Sequence, residues 1–267
     1  MTKQSQITDT TLKPLHDPKI GILRVAALIS GSGSNLIKIL EHQKKLEKDR
    51  GKSPYEVCVI FSDNFESRAA QIGKNYDIPV VVRDLNSFCA AKGKPRKDMP
   101  TRELYDAETV KALSPYGATV AAYAGYMSIA TAPLVSAFFG INVHPADLSV
   151  MENGKRKYTG AKAVRKAILA GEKTIGSTMH IIEPVVDGGR ILMVSEPVQV
   201  HLGDKFDPGN AALVDEISRL HQEKLKERGD WMIFPRTLEY IADGKYAVDE
   251  KGGICFEGVL VPQGVRL

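Results

Sequence analysis

The sequence predicts an α/β fold in which a mostly parallel sheet is covered by helices on both faces. Short runs rich in Val, Ile and Ala indicate strands that are buried on both sides. Segments with helical periodicity separate these runs, as in βαβ units. The C-terminal part instead favours antiparallel strands around an Asp-Gly-Gly turn. A chain of 267 residues can bury roughly 70–75% of its unfolded surface without a metal or disulfide.

The elements follow in a clear order. Residues 1–19 are polar and contain two prolines, so we expect a loose N-terminal arm before a single domain over 20–267. The apolar runs predict strands over 23–29, 55–62, 78–83, 119–124, 141–144, 176–183 and 191–200, the last two paired antiparallel. Helical periodicity predicts helices over 34–46, 67–76, 101–113, 161–170 and 211–228, and one more before Gly244. A hairpin of 246–248 with 254–261 completes the chain.

Composition excludes several classes of protein. Hydrophobic residues make up 43% and charged residues 25% of the chain, as in ordinary globular domains. A net charge of +4 does not indicate a nucleic-acid partner and suits a small anionic ligand equally well. Cys58, Cys89 and Cys255 have neither disulfide nor zinc spacing. Because no run is apolar enough for a signal peptide or a membrane span, we expect a cytoplasmic protein without membrane contact.

The first candidate site is the segment Ser-Gly-Ser-Gly-Ser-Asn at 30–35, between the first strand and the first helix. Glycines let the backbone approach a ligand closely, and the free N–H groups of a helix start attract anions. A phosphate or a carboxylate is therefore the expected ligand. The alternative is a tight turn capped by Ser34 or Asn35. A dinucleotide fingerprint would need a third glycine, and Leu36 stands at that position.

Two further motifs carry groups that can move protons. Asn142 and His144 stand two residues apart at the end of a predicted strand, so both side chains lie on one face. The carboxyl ends of strands border the ligand crevice of an open α/β sheet, where an amide can stabilise an oxyanion and an imidazole can transfer a proton. Asp187 opens the Asp-Gly-Gly turn. It would favour the imidazolium form if it lay near His144, although both motifs also suit purely structural roles.

Taken in order, these motifs resemble the folate-dependent formyltransferases, and among them the glycinamide ribonucleotide transformylases. The resemblance runs from about residue 22 to the C-terminus and rests on the segments at 25–36, 62–64, 101–106, 124–127, 142–145, 176–180, 187–189 and 221–223, with the terminal hairpin. It implies a Rossmann-like formyltransferase fold, mostly parallel with an antiparallel C-terminal part. It also implies formyl transfer from 10-formyltetrahydrofolate, as co-substrate, to the amine of glycinamide ribonucleotide in purine synthesis, without a metal.

The resemblance assigns a role to each matching residue. Asn142 would hold the oxyanion, His144 would move the proton, and Asp187 would raise the pKa of the histidine and order a water. Gly33, Ser34 and Asn35 would bind the phosphate of the acceptor through backbone N–H groups, and Glu223 would contact its sugar. The folate site would be lined by Arg102, Met127, Ser128, Ile129, Ala130, Glu183, Val185 and Val186.

Departures from the family pattern keep other functions open. The segment 146–160 is longer and more charged than its counterpart, and the folate segment at 127–130 lacks an arginine. The same donor with another amine acceptor is therefore one alternative. Enzymes of folate hydrolysis and of initiator-tRNA formylation share these catalytic residues. We expect neither function, because both groups carry a further domain and we expect a single domain here. A nicotinamide-dependent oxidoreductase, with Gly33 in its turn and Asp63 on a ribose, is the alternative from another class. The sequence leaves the oligomeric state open.

Overall fold

An eight-stranded sheet forms the centre of the protein. The computed structural model describes residues 12–204 and 206–267. The strands in these ranges are β1 (Lys13–Pro14), β2 (Leu23–Ile29), β3 (Tyr55–Ser62), β4 (Val80–Val82), β5 (Val120–Tyr123), β6 (Phe139–His144), β7 (Met151–Glu152), β8 (Lys155–Arg156), β9 (Thr174–Ile175), β10 (Thr178–Ile181), β11 (Ile191–Val194), β12 (Val198–Gln199), β13 (Tyr246–Val248), β14 (Ile254–Phe256), β15 (Val259–Leu260) and β16 (Val265–Arg266). The α-helices are α1 (Ser34–Arg50), α2 (Ala69–Tyr76), α3 (Leu85–Ala91), α4 (Met99–Leu113), α5 (Ala132–Ala137), α6 (Ala163–Leu169), α7 (Ala211–Leu225) and α8 (Trp231–Ala242).

The order of the strands explains where a ligand can bind. The central sheet runs β16-β11-β10-β6-β5-β2-β3-β4. Strand β2 is parallel to β3 and β5, and β6 continues this parallel part beyond β5. Strand β10 is antiparallel to both of its neighbours, β6 and β11. The predicted fold class is therefore confirmed. The carboxyl ends of β2, β5 and β6 meet at one edge, where open α/β sheets bind their ligands.

Helices cover both faces of the sheet, which is why its strands are continuously apolar. Along β2, Val25, Ala27 and Ile29 pack in a core with α1, α2 and α8. The alternate residues Ala26 and Leu28 pack in a second core with α3, α4 and α5. A third, smaller core joins α6 and α7.

The expected loose arm is wrong for the part of it that the structure describes. Strand β1 pairs antiparallel with β13, Lys13 opposite Val248. The Leu15 N–H group donates to the Tyr246 carbonyl at 2.9 Å, and the Leu15 side chain packs against the main core. Proline is tolerated in such an edge strand, so Pro14 does not prevent the pairing. Residues 1–11 of the predicted arm lie outside the described residues.

The remaining differences arise where short elements depend on their neighbours. The predicted strand over 176–183 is shortened to β10, and the unpredicted strand β9 precedes it. The predicted strand over 191–200 is split into β11 and β12, because β12 pairs with β9 apart from the central sheet. Helices α3 and α5 and the β7–β8 hairpin were not predicted. A π-helical turn, Lys226–Asp230, leads from α7 directly into α8.

Candidate active site

The end of β6 brings Asn142 next to a histidine of the neighbouring strand. The antiparallel register places Asn142 opposite His180, and the Asn142 Nδ2 atom donates to His180 Nε2 at 3.2 Å. The other ring nitrogen of His180 lies 3.0 Å from the Ile181 carbonyl. Because a carbonyl can only accept, Nδ1 carries the hydrogen and Nε2 accepts from the amide. This contact orients the amide and leaves its second N–H group for a ligand.

The two ring nitrogens of His144 have different partners. The Nε2 atom donates to the Tyr158 carbonyl at 2.7 Å, whereas Nδ1 lies 3.4 Å from Asp187 Oδ2. In the neutral ring Nε2 therefore carries the hydrogen and Nδ1 has the free lone pair. Burial lowers the pKa of His144 below its usual value, although the nearby Asp187 acts in the opposite direction. Nδ1 is thus the atom that can take up a proton, and Asp187 stands ready to stabilise the resulting cation.

Asp187 lies between the two histidines. Its Oδ1 atom is 3.6 Å from His180 Nε2, and its Oδ2 atom accepts the Gly160 N–H group at 2.7 Å. Burial is also the main reason why the pKa of His180 falls to about 4. The condition set by the sequence, Asp187 near His144, is met. Asp187 raises the pKa of His144 as expected, but burial acts more strongly and leaves that pKa below its usual value.

His180 was not predicted as a site residue. Its segment contributed to the family resemblance, but periodicity alone does not show which strand lies beside 141–144. The signal that could have found it is the antiparallel pairing of β10 with β6, which depends on the tertiary fold.

The glycine-serine segment forms the start of α1. Gly33 precedes the helix with φ of 65°, and a Cβ atom at this position would lie 2.5 Å from Ile72 Cδ1. The Ile37 N–H group donates to the Gly33 carbonyl at 2.9 Å, so the N–H groups of residues 34–36 precede the helical ladder. Within the described ranges no side chain caps this helix, which contradicts capping by Ser34 or Asn35. Backbone donors at the edge of the sheet are what an anion requires.

A buried carboxylate faces this helix start, and it is not the predicted one. The Glu223 side chain is largely exposed and pairs with Lys226 at 2.9 Å. Asp230 is buried instead, and its pKa rises to about 6 through burial, although Ser177, Lys226 and Asn35 favour the ionised form. The Asp230 carboxylate accepts the Ser177 hydroxyl at 2.5 Å. The Asn35 Oδ1 atom beside it is buried without a partner in the part of the chain that the structure describes.

The predicted folate segment combines exposed apolar side chains with buried polar anchors. The side chains of Met127 and Ile129 are 81% and 54% exposed. Ser128 and Arg102 are buried, and Arg102 donates to the Ile129 carbonyl. Arg96, from the loop between α3 and α4, donates to the Ser128 hydroxyl at 2.7 Å. A guanidinium from another loop therefore lies beside the position where the family pattern has an arginine, a substitution in space that sequence order does not reveal.

The other residues predicted to line the folate site are partly buried or exposed. Ala130 is partly buried. Val185 and Val186 are 71% and 54% exposed, in the loop that precedes Asp187. Glu183 begins this loop and pairs with Arg190 at 2.9 Å.

The described residues contain neither a membrane-spanning helix nor a metal-binding cluster. No helix there is long and apolar enough to cross a membrane. No group of three or more His, Cys, Asp or Glu side chains in those same ranges is arranged to hold a metal ion.

Comparison with known proteins supports the resemblance found in the motifs. The model of the formyl transferase family matches residues 23–216. The phosphoribosylglycinamide formyltransferase of Escherichia coli (strain K12) is 26% identical over 244 residues, which are 91% of this chain and 98% of that protein. The trifunctional purine biosynthetic protein adenosine-3 of Gallus gallus is 27% identical over 237 residues. The chain spans only 20% of the length of that relative and 14% of its Drosophila melanogaster counterpart.

Solved structures share the fold. Glycinamide ribonucleotide transformylase 1 from Symbiobacterium toebii superposes with a TM-score of 0.66 at 25% identity, covering 88% of this chain and 94% of that one. A formyltetrahydrofolate deformylase from Pseudomonas syringae gives 0.64 at 19% identity, covering 88% and 66%, and shows the likeness of fold alone.

Proposed function

Because this chain belongs to the formyl transferase family, we propose that it transfers a formyl group from 10-formyltetrahydrofolate to the amine of glycinamide ribonucleotide. One observation carries the proposal: the Asp187 carboxylate lies between His144 and His180, at the strand end that also carries Asn142. Relatives named for this acceptor, which match nine-tenths of the chain, support its identity.

Formyl transfer needs an oxyanion donor and a proton acceptor. The amine nitrogen attacks the formyl carbon, and the carbonyl electrons move to oxygen, giving a tetrahedral anion. The second Asn142 N–H group donates to that oxygen. His144 Nδ1 takes the proton from the attacking nitrogen and delivers it to folate N10 as the C–N10 bond breaks, while Asp187 stabilises the transient imidazolium. Product amide and tetrahydrofolate leave, and the enzyme regains its starting protonation.

The acceptor extends from this centre toward α1. Its phosphate binds the N–H groups at residues 34–36, where the helix dipole adds to the attraction. We assign the contact with its sugar to Asp230 rather than to Glu223, because Asp230 faces the helix start and Glu223 faces solvent.

The donor covers the exposed apolar side chains. Met127 and Ile129 in one segment, and Val185 and Val186 in the other, offer apolar area that a flat pterin ring would remove from water. Arg96 and Arg102 beside the first segment suit the carboxylates of the folate tail.

A second candidate is the same donor with another amine acceptor. The β7–β8 hairpin favours this second candidate, because the hairpin belongs to the lengthened segment 146–160. Its Arg156 contacts the loop that carries Asp187. A pocket rebuilt in this way can select a different amine.

The deciding experiment is a spectrophotometric assay of tetrahydrofolate release from 10-formyltetrahydrofolate, with and without glycinamide ribonucleotide. Release that requires the acceptor and disappears in His144→Ala establishes the proposed reaction. Release without the acceptor indicates hydrolysis instead. Binding of the folate without release, in either condition, overturns this acceptor and favours the second candidate.

A further inference from the structure

Residues 156–160 lead from the end of β8 past His144 and Asp187, and we call this segment the strap. Arg156 Nη1 donates to the Asp187 carbonyl. The Tyr158 carbonyl accepts from His144 Nε2 at 2.7 Å, and the Gly160 N–H group donates to Asp187 Oδ2 at 2.7 Å. These contacts come from alternate residues of the strap, whose chain bends and reaches a φ of 72° at Gly160. One short segment therefore holds both His144 and Asp187.

The strap is anchored on its other side. The Tyr158 hydroxyl donates to the Glu172 carboxylate, and Lys166 Nζ donates to the Thr159 carbonyl at 2.7 Å. At its start, the β7–β8 hairpin turns through Asn153 and Gly154, whose φ values of 50° and 75° suit a two-residue hairpin turn. These contacts fix the strap before any substrate binds.

Arg156 contacts the backbone of Asp187 rather than its carboxylate. The backbone of Asp187 has φ of 52°, a conformation that is uncommon outside glycine and that the surroundings must hold. Arg156 is partly buried, and burial lowers its pKa, with Asp187 and Glu183 acting in the opposite direction. A partly desolvated guanidinium gives a strong, directional hydrogen bond. Because it binds the carbonyl, both carboxylate oxygens remain for the histidines and Gly160.

We propose that Arg156 is a positioning residue for formyl transfer, which keeps the Asp187 backbone in the conformation that sets the carboxylate between His144 and His180. This inference rests on the proposed function and adds a residue that the family resemblance does not assign.

Arg156 also acts on the histidines through its charge. The charged groups that face His144 are Asp187, Arg156 and Lys166, and those that face His180 are Asp187, His144 and Arg156. Arg156 disfavours the protonated form of both rings. Removal of its charge therefore raises both histidine pKa values.

The test compares Arg156→Met and Arg156→Lys with Lys155→Met, an exposed cation in the same hairpin. We expect Arg156→Met to lower kcat roughly a hundredfold, as a small displacement of catalytic groups does. The KM values for both substrates should stay within about twofold, because ground-state binding is unchanged. In Arg156→Lys, which keeps the charge, the acidic limb of the pH profile of kcat should move to lower pH, because Asp187 no longer favours the imidazolium form. Wild-type kcat with an unmoved pH profile, as expected for Lys155→Met, would overturn the proposal.

A second readout does not depend on turnover. NMR titration of the His144 and His180 rings should show lower pKa values in Arg156→Lys, which keeps the charge, than in the wild type and in Lys155→Met, because a displaced Asp187 carboxylate no longer favours the imidazolium forms. Unchanged values refute the inference even if the wild type transfers formyl groups. A wild type without turnover refutes the proposed function, and the titration then still tests Arg156.

Arg156→Lys covers the case in which the methionine variant does not fold. Lysine keeps the charge and loses the planar donor. A lowered kcat together with lowered histidine pKa values supports positioning by the guanidinium, and a wild-type kcat contradicts it.

Discussion

The Nδ1 atom of His144 lies 3.4 Å from the Oδ2 atom of Asp187, while the opposite ring nitrogen is held by a main-chain carbonyl. The two contacts give the two ring nitrogens of His144 different roles. The carbonyl fixes the tautomer, so the lone pair of the neutral ring points toward the carboxylate. Burial keeps the ring neutral until a proton arrives, and the carboxylate then stabilises the cation. A group with these properties can take a proton from one nitrogen and give it to another.

We predict that His144→Ala and Asp187→Asn each reduce kcat by roughly 10²- to 10⁴-fold, the range of general acid–base catalysis. Alanine removes the proton acceptor, and the amide of asparagine cannot stabilise the imidazolium. Steady-state rates with 10-formyltetrahydrofolate and glycinamide ribonucleotide measure the loss, and circular dichroism checks the fold. His201→Ala is the control, since His201 is exposed and should retain full activity. Wild-type rates in either site variant would refute the assigned roles.

The second prediction concerns acceptor binding. Asp230→Asn should raise the KM for glycinamide ribonucleotide about tenfold or more, because hydrogen bonds to charged groups contribute roughly 1.5–3 kcal/mol. The KM for the folate should not change. Glu223→Gln is the matched control: its carboxylate pairs with Lys226 on the exposed face of α7, so both KM values should equal those of the wild type. The reverse pattern would return the sugar contact to Glu223.

Asp230 and Glu223 show what a sequence can and cannot reveal about this site. Strands β2 and β3 agree with their predicted bounds, 23–29 and 55–62, because all of their residues except Arg24 and Glu56 are buried, which leaves a largely apolar run. Asn142 and His144 were found because they follow such a run. No sequence pattern indicated Asp230 as a site residue, because its burial arises from a π-helical turn between two helices. Glu223 matched the motif by order alone, and the turn of α7 directs it to solvent.

The sequence did not predict His180 or Arg96 as site residues, for a related reason. Each reaches the site from an element that is distant in sequence: His180 lies on β10, and Arg96 lies in the loop between α3 and α4. The residues of 146–160 were noticed as a departure from the family, but their contacts with His144 and Asp187 depend on how the strap folds back. Such placement is a property of the packed structure.

Asp230 also gives a prediction about stability and pH. Its folded pKa of about 6 lies above its usual value of 3.8, so between these values the folded state binds more protons than the unfolded state. The free energy of unfolding therefore decreases as pH rises through this window. Asp230→Asn removes that penalty and should gain stability relative to the wild type, by on the order of 1–3 kcal/mol above pH 6. Urea unfolding of both proteins at pH 4 and pH 7 measures the difference, and an equal difference at both pH values would contradict the assignment.

The last prediction concerns Gly33, where the glycine-serine segment enters α1. Its φ of 65° is left-handed, and an added Cβ atom would meet Ile72 Cδ1 at 2.5 Å. Gly33→Ala should therefore destabilise the fold by roughly 1–3 kcal/mol and weaken acceptor binding, since the N–H groups at 34–36 must shift. Gly31→Ala is the matched control in the same segment, because a Cβ atom there has no neighbour within 4 Å and its φ is not left-handed. Chemical denaturation and the acceptor KM of both variants measure the effects. Equal stabilities for the two alanine variants would show that the backbone of Gly33 is not constrained in this way.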